Sequence, residues 1–320
     1  MRKLSISCGA LLVILLAMFV FGKTIYSKPG MLSSAKDVVI SKGNTDAVIS
    51  QLQREHVLSN SFLNKLIFQI AVKMTAKQGP LHAAEFAFPK QASIQQVLNI
   101  LRHAKPVQHE LTIPEGLTAY QIENLINQAP FLTGQIIVPT EGSVLPQTYA
   151  YEYGNSREKL LQRMQDSMQK TLDQIWKNRQ PLAEIKTPKE LLTLASIVEK
   201  ETAVPRERSM IARVFINRLK TGMRLQSDPT VIYALTEGQG KLDRPLTRQD
   251  WTVESAYNTY WIDALPPSPI CSPGKAALEA VAHPVDGNML YFVANGTGGH
   301  SFSSSLTEHN HNVALRKEKK

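Results

Sequence analysis

The chain has 320 residues, of which 43% are hydrophobic and 20% charged, a composition that indicates a globular protein and excludes an intrinsically disordered one. The formal net charge of +9 suits an acidic polymer, an anionic membrane or nucleic acid, so charge alone selects no partner. Two cysteines, Cys8 and Cys271, make no disulfide framework, and the sequence has no CxxC, HExxH or phosphate-binding glycine loop.

An uncharged apolar segment occupies residues 4–22, directly after Arg2 and Lys3. As a helix it spans about 29 Å, the thickness of the hydrocarbon core of a bilayer. We interpret it as a retained membrane anchor rather than a signal peptide, because no small-residue cleavage site follows it. The two basic residues before it predict a cytoplasmic N-terminus and an exported remainder, although Lys23 and Lys28 weaken that inference.

A connector is predicted over residues 24–37, and residues 38–104 have the pattern of a small α/β unit. Apolar alternation and helical spacing predict its elements: strands at 38–40 and 84–88, helices at 46–58, 62–77 and 94–103, and a further strand at 107–113. Later helices are predicted at 119–128, 156–179, 187–204, 205–221 and 274–283, a strand at 290–293, a turn into another strand at 298–302, and a last helix from about Ser304. The pattern predicts an α+β protein.

The clearest helix signals lie in residues 187–204. Thr187 is suited to cap the helix, and Glu190, three residues later, completes a capping box. A very short turn separates this helix from the next one at 205–221. We therefore predict a helical hairpin, with Glu201 near its corner.

Helical spacing separates the two glutamates at the end of the first of these helices. Glu201 lies within about 40° of Leu194 and Ile197, whereas Glu199 points about 160° away from it. Apolar surroundings raise the pKa of a carboxyl group and keep it protonated near neutral pH, as a general acid requires. The alternative is a buried ion pair between Glu201 and one of three arginines: Arg206, Arg208 or Arg213. Glu199 is expected to be a solvated or structural carboxylate.

Two later segments are rich in polar and aromatic side chains. Residues 224–230 are predicted to form a polar loop that is followed by apolar residues 231–233. Residues 255–270 are irregular and combine tyrosines with amide and hydroxyl groups. Aromatic rings stack on sugar faces and amides bind hydroxyl groups, so this surface suits a sugar polymer. The alternative is a proline-rich loop whose aromatic residues pack underneath it.

A metal site is not predicted. The candidate ligands are four histidines without a familiar spacing to acidic or cysteine ligands: His283, His300, His309 and His311. A nuclease function built on two of these histidines is disfavoured by the predicted export and by this missing ligand set. The basic run at 316–320 is expected to be a solvated tail. We expect no cofactor and no nucleic-acid partner.

The motifs in the last 130 or so residues resemble, in order, those of the YceG-like (MltG) endolytic murein transglycosylases. They are ASIVEKET (195–202), VFINRL (214–219), MRLQSDPTVIY (223–233), YNTY (257–260), LPPSPICSPG (265–274), YFVA (291–294), GGHSF (298–302) and EHN (308–310). The segment EGSVLPQTY at 141–149 is similar but looser, with VLPQ where the family more often has LFPD.

The resemblance implies an α+β fold with four parts: an N-terminal membrane helix (1–23), the connector (24–37), a small LysM-like module (38–111) and a larger mixed α+β catalytic domain (112–320). It implies a single-pass protein of the bacterial cytoplasmic (inner) membrane, with the catalytic domain in the periplasm. The implied substrate is nascent peptidoglycan glycan strands, and the implied partners are penicillin-binding proteins and other glycan polymerases.

The resemblance also implies a reaction. The family cleaves glycan strands internally between N-acetylmuramic acid and N-acetylglucosamine, leaves an anhydro-muramyl end and so ends glycan elongation. Its catalytic glutamate is the second one of EKE, here Glu201. Asp228 is assigned to substrate positioning or to the scaffold, and Glu199 to a supporting role. The remaining expected substrate contacts are Gln226, Tyr257, Asn258 and His300.

Two other functions stay open from the sequence. One is a glycan hydrolase that uses Glu201, Asp228 and water, which would give reducing ends instead of anhydro ends. The other is a non-catalytic, membrane-anchored scaffold that binds peptidoglycan or acts in cell division. The intact EKE and QSDP motifs favour an enzyme over the scaffold.

Overall fold

The computed structural model describes the backbone of residues 2–318 and the side chains of residues 9–317. The side chain of Cys8 and the end of the basic tail, Lys319 and Lys320, lie outside the described residues. Helices and short strands alternate along the chain, which confirms the predicted α+β class. The chain divides into two compact units: unit 1 comprises Met1–His109 and Tyr151–Gly154, and unit 2 comprises Glu110–Ala150 and Asn155–Lys320.

The N-terminal helix α1, Arg2–Ser27, contains the predicted apolar segment and continues beyond its expected end. Residues 24–27 are therefore helical and do not belong to the connector. The stretch Gly9–Ser27 has a mean hydropathy of 2.1, and no part of it is fully buried in the structure. By length and composition, this helix is able to cross a membrane.

In unit 1, two helices lie along the chain between the two strands of a small antiparallel sheet. Its elements after α1 are β1 (Lys36–Val39), α2 (Thr45–Arg54), α3 (Phe62–Met74), a 3₁₀ turn (Ala76–Gln78), β2 (Glu85–Phe88) and α4 (Ile94–His103). Strand β1 pairs antiparallel with β2, with Val38 opposite Phe86, and both side chains are buried. Helix α2 is shorter than predicted, because His56 has a left-handed backbone (φ 61°) that ends it.

Unit 2 consists mainly of helices. The elements after α4 are β3 (His109–Thr112), α5 (Ala119–Gln128), β4 (Thr148–Tyr151), α6 (Arg157–Asn178), α7 (Pro188–Glu201), a 3₁₀ turn (Pro205–Glu207), α8 (Arg208–Lys220), α9 (Asp228–Thr236), a 3₁₀ turn (Asp250–Thr252), α10 (Lys275–Ala282), β5 (Tyr291–Ala294), β6 (His300–Ser303) and α11 (Leu306–Glu318). Strand β3 pairs with β4, and β5 pairs antiparallel with β6.

Helix α7 lies at the centre of unit 2. Its residues 191–198 are all buried, because α6, α8, α9 and α10 pack around it. The predicted capping box is confirmed: the Thr187 hydroxyl accepts from the Glu190 amide at 3.2 Å, and the Glu190 carboxylate accepts from the Thr187 amide at 2.9 Å. The predicted hairpin is also confirmed, since α8 follows after a 3₁₀ turn and packs against α7.

The polar loop predicted at 224–230 ends earlier than expected. It stops at Ser227, and Asp228 begins helix α9 with Pro229 in the first turn. Proline is accepted there because the first amide groups of a helix have no helical partner. Asp228 is therefore held at a helix N-terminus, where a carboxylate is favoured by the helix dipole.

Candidate active site

Glu201 is the last residue of α7 and faces the start of α9. Its carboxylate oxygen Oε1 accepts a hydrogen bond of 2.5 Å from the Ser227 hydroxyl. Burial raises the pKa of Glu201, and the negative charge of Asp228 raises it further, while the Ser227 hydrogen bond and the charges of His300 and Arg218 oppose the rise. The residue keeps a partly exposed surface. A protonated carboxyl group at this position is thus enclosed by protein and still reachable by a ligand.

The alternative of an ion pair for Glu201 is wrong. In residues 9–317, none of the three candidate arginines lies within ion-pairing distance of its carboxylate. Arg206 is exposed, Arg208 lies 3.8 Å from a carboxylate oxygen of Glu199, and Nε of Arg213 donates to the Val285 carbonyl. A buried carboxyl group without a salt bridge favours the protonated form, as the apolar stripe predicted.

Glu199 is a structural carboxylate and is not solvated. Its side chain is 7% exposed and accepts a 2.9 Å hydrogen bond from the Gly274 amide, just before α10. Arg208 lies 3.8 Å from the other carboxylate oxygen. Burial raises the pKa of Glu199, and the charge of Glu115 adds to the rise. The two glutamates of the EKE motif therefore face different surroundings, as helical spacing predicted.

Asp228 lies beside two aromatic side chains. Its oxygen Oδ1 accepts a hydrogen bond of 3.1 Å from the Trp251 indole and one of 2.8 Å from the Tyr260 hydroxyl. The two rings stack, with centroids 5.6 Å apart and planes 23° apart. Burial raises the pKa of Tyr260, and the hydrogen bond to Asp228 raises it further, so this hydroxyl stays a donor. Trp251 lies outside the family motifs, and no pattern in the sequence pointed to it.

Ser227, which no expectation singled out, is held from three directions. Its amide donates to the Thr259 hydroxyl at 2.9 Å, and its carbonyl accepts from the Thr230 hydroxyl at 2.6 Å. The two threonine hydroxyls lie 2.9 Å apart. Ser227 is 1% exposed, so its own hydroxyl is fixed toward Glu201. The neighbouring Gln226 is exposed and has a left-handed backbone (φ 50°).

His300 is bound by Glu207, another residue that the sequence did not reveal. Its Nδ1 lies 2.7 Å from Glu207 Oε2, and its backbone amide donates to Oε1 at 2.9 Å. Burial raises the pKa of Glu207, but the hydrogen bonds from His300 outweigh burial and hold it below its usual value. A Cβ at position 299 would lie 2.4 Å from Glu207 Oε1, so glycine there leaves room for the carboxylate. The GGHSF motif thus places His300 within hydrogen-bonding distance of the Glu207 carboxylate.

Arg218 is a further residue that the sequence did not single out. It is buried in α8, where Nε donates to the Leu290 carbonyl at 2.7 Å and Nη1 donates to the Leu225 carbonyl at 2.6 Å. Burial lowers its pKa. Its charge acts on Glu201 in the direction that favours the ionised carboxylate.

Two of the expected substrate contacts face the protein interior. Asn258 is completely buried; its amide donates to the carbonyls of Trp251 and Val253, and its oxygen accepts from the Tyr260 amide. Its side chain is therefore not available to a ligand in this structure, a correction to the expectation. The Tyr257 hydroxyl lies 2.6 Å from that of Ser268, and its ring packs on the unit 2 core. The aromatic residues of this loop thus partly pack underneath it.

The histidines considered as metal ligands have other surroundings. His309 stacks on Tyr291 with centroids 5.2 Å apart, and His300 is bound to Glu207. Among the described residues, no three His, Cys, Asp or Glu side chains are arranged to hold a metal ion. The groups assembled around Glu201 are therefore a hydroxyl, a second carboxylate, an imidazole and a guanidinium.

The fold and the site define an α+β protein whose candidate proton donor is one buried carboxyl group. A family model described as the YceG-like family matches residues 38–315. The chain belongs to the YceG-like family.

Two bacterial endolytic murein transglycosylases are similar to this chain. The endolytic murein transglycosylase of Bacillus subtilis (strain 168) is 36% identical over 173 residues, which are 54% of this chain and 46% of that protein. The endolytic murein transglycosylase of Streptococcus pneumoniae serotype 2 is 32% identical over 230 residues, or 70% of this chain and 40% of that protein. These matches thus span less than half the length of the curated relatives.

A solved structure is also similar. The crystal structure of a putative YceG-like protein from Listeria monocytogenes has 29% sequence identity to this chain and a TM-score of 0.54. The match covers 87% of this chain and 98% of the Listeria chain. The similarity therefore extends over most of both chains.

Proposed function

We propose that this protein is an endolytic lytic transglycosylase that cleaves nascent peptidoglycan glycan strands between N-acetylmuramic acid and N-acetylglucosamine. The product is an anhydro-muramyl end, and the cleavage ends elongation of the strand. The observation that carries the proposal is the placement of Glu201, a buried carboxyl group that accepts a hydrogen bond from Ser227 and has no ion pair among the side chains of residues 9–317. The names of the similar bacterial proteins support the same reaction.

In the proposed first step, protonated Glu201 donates its proton to the glycosidic oxygen while the bond to the anomeric carbon breaks. Burial keeps the proton on Glu201 until that moment, as a general acid requires. The Ser227 hydroxyl then stabilises the new carboxylate, since a hydrogen bond to an ionised acceptor is stronger than one to a neutral acceptor. The charge of Arg218 acts in the same direction.

In the second step, the Glu201 carboxylate takes the proton from the C6 hydroxyl of the muramic acid. The C6 oxygen forms a bond to the anomeric carbon of the same sugar, and the carboxyl group returns to its protonated state. Because the nucleophile belongs to the substrate itself, its effective concentration is high. The reaction consumes no water, and it needs no second carboxylate.

We assign the surrounding groups to substrate positioning. Asp228 and the stacked Trp251 and Tyr260 present a carboxylate and aromatic faces, which suit hydroxyl groups and sugar rings. Gln226 is exposed next to Ser227, and His300 has one ring nitrogen fixed by Glu207. Glu199 supports the site by joining α7 to the segment before α10.

A hydrolase is the second candidate, because the charge of Asp228 acts on Glu201 and marks it as a possible partner carboxylate. Digestion of uncrosslinked glycan strands in ¹⁸O-labelled water separates the two reactions. Our proposal predicts anhydro ends, lighter than reducing ends by one water molecule and free of ¹⁸O. Reducing ends that carry ¹⁸O would show hydrolysis instead.

We also propose that α1 is a single-pass anchor in the bacterial cytoplasmic (inner) membrane, with a cytoplasmic N-terminus and the remainder in the periplasm. The apolar, unburied stretch Gly9–Ser27 supports it. Residues 38–111 are proposed as a LysM-like module and 112–320 as the catalytic domain. Unit 1 supports the first of these, because its strands β1 and β2 and its helices α2, α3 and α4 form a hydrophobic core of their own. The proposed partners are penicillin-binding proteins and other glycan polymerases; their absence after co-purification from membranes would count against them.

A further inference from the structure

Helix α3 of unit 1 has an apolar face that nothing in the described structure covers. Its residues, which we call the α3 apolar face, recur at helical spacing: Phe62, Leu63, Leu66, Ile70 and Met74. They lie within an arc of about 120° around the helix, and Lys73 lies within the same arc. Phe62 is 80% exposed and Met74 72%, whereas Phe68 on the opposite side is completely buried. An apolar stripe of this kind marks a surface that contacts a partner or a membrane.

The α3 apolar face belongs to a helix that contacts the proposed anchor. Helix α1 packs against α3 and α4, and its residues Ile25 and Tyr26 join the core that contains Phe68. Ile25 lies three residues after the predicted apolar segment, which is about 4.5 Å along the helix. Packed helices have axes about 8–10 Å apart. If the apolar segment fills the bilayer, Ile25, Tyr26 and the part of the unit 1 core that they contact are therefore at the depth of the lipid headgroups.

The connection after α1 is short and tightly bound to unit 1. The Gly30 amide donates to the Gln91 carbonyl at 2.9 Å, and the Gln91 amide donates to the carbonyl of Leu32, which is buried. A Cβ at Gly30 would lie 2.2 Å from the Ala92 carbonyl oxygen, so the backbone there is in direct contact with unit 1. The end of α1 and the rest of unit 1 are thus joined without a flexible spacer.

The segment that contains α3 has an excess of basic residues. Residues 24–109 contain ten Lys and Arg against four Asp and Glu, whereas residues 110–320 contain 23 of each kind. Beyond the first 23 residues, the whole excess of positive charge therefore belongs to the segment that contains unit 1. Lys73 and Lys77 are exposed on and just after α3. Basic side chains beside an apolar stripe are the pattern of a helix that lies in an anionic membrane interface.

We propose that the α3 apolar face inserts into the interface of the membrane that holds α1, with a preference for anionic phospholipids. This inference rests on the proposed anchor. Unit 1 then has two membrane contacts: α1 crosses the bilayer, and α3 lies along its surface. Lys73 keeps its charged end among the headgroups while its apolar stem lies along the α3 apolar face.

The test is photolabelling of the full-length protein in vesicles of phosphatidylglycerol and phosphatidylethanolamine that contain a phospholipid with an acyl-chain diazirine. Peptide mass spectrometry should find label in α1 and α3 and none in α2. Replacing Phe62, Leu66 and Ile70 by serine should lower the α3 label by at least about fivefold and leave the α1 label unchanged. The control Ile137→Ser, at a side chain of unit 2 that is 87% exposed, should change neither.

The possible results distinguish a failure of this inference from a failure of the proposed membrane anchor. Label in α1 without label in α3 overturns the inference and leaves the anchor intact. Absence of label from α1 overturns both. An α3 label that appears only when the protein is diluted into a large excess of lipid would show that a second copy covers the face, against the inference. A lower α3 label in vesicles of phosphatidylcholine supports the preference for anionic lipid, and an equal label refutes that preference.

Discussion

Ser227 donates a hydrogen bond directly to Glu201, and the substitution Ser227→Ala tests the effect of that hydrogen bond on catalysis. The substitution removes the donor that lies 2.5 Å from Glu201 Oε1. The backbone hydrogen bonds of residue 227 to Thr259 and Thr230 do not need its side chain. The variant should therefore keep the local fold and lose one hydrogen bond to the candidate catalytic carboxylate.

The size of the effect follows from the charge on that carboxylate. A hydrogen bond to an ionised group contributes about 1.5–3 kcal/mol. If about half of the negative charge has developed on Glu201 in the transition state, the barrier rises by about 0.7–1.5 kcal/mol, and kcat falls about 3- to 13-fold. The hydrogen bond also lowers the pKa of Glu201, so its loss raises that pKa. The protonated acid then persists to higher pH, and the alkaline limb of the pH profile moves upward.

The assay is release of anhydro-muramyl ends from uncrosslinked glycan strands, measured as kcat across the pH range. The matched control is Ser196→Ala, which removes a buried hydroxyl in α7 that donates to the Thr193 carbonyl and accepts from the Ile270 amide. This control should lower stability without moving the alkaline limb. An alkaline limb that is unchanged or moves downward in Ser227→Ala would refute the reasoning.

Three further predictions concern the surroundings of the site. Gly299→Ala pushes a Cβ against Glu207 and should lower the free energy of unfolding by about 1.5–3 kcal/mol, because the contact between the Glu207 carboxylate and His300 is lost. In a Glu207→Ala chain the same substitution should cause no further loss of stability. An equal loss in both chains would contradict the clash. Burial raises the pKa of Glu141 to about 7, above its ordinary 4.5, so wild-type stability should fall as pH rises between those values. Urea unfolding should show Glu141→Gln without this fall, and more stable at pH 8 by up to about 3 kcal/mol; parallel pH curves would count against it. Asn258→Ala removes two buried donors and should lower the free energy of unfolding by about 2–4 kcal/mol with KM unchanged, whereas a raised KM at unchanged stability would restore it as a substrate contact.

Much of unit 2 near Glu201 could be predicted because its signals are local. The capping box of Thr187 and Glu190 fixed the start of α7, and helical spacing placed Glu201 and Glu199 on different sides of it. The end of the 224–230 loop was predictable in part as well. Asp228-Pro229 is a common helix start, but the polar residues before it led us to predict a loop through residue 230.

The partners of the site residues depend on contacts between distant parts of the chain. Glu207 and His300 are 93 residues apart in sequence, and Glu199 meets the Gly274 amide across 75 residues. Spacing within a motif contains no information about such pairs. For the same reason the Ser227 hydroxyl could not be assigned to Glu201, and Asn258 was expected at the surface although the loop closes over it.

The central claim is that Glu201 donates the proton for cleavage without water. The most direct measurement is mass spectrometry of the products from uncrosslinked glycan strands with three full-length proteins: wild type, Glu201→Gln and the control Glu199→Gln. We predict anhydro-muramyl ends from wild type and from the control, because glutamine still accepts from the Gly274 amide. Glu201→Gln should lose at least about a thousandfold in rate. Anhydro ends from Glu201→Gln at the wild-type rate would contradict the account.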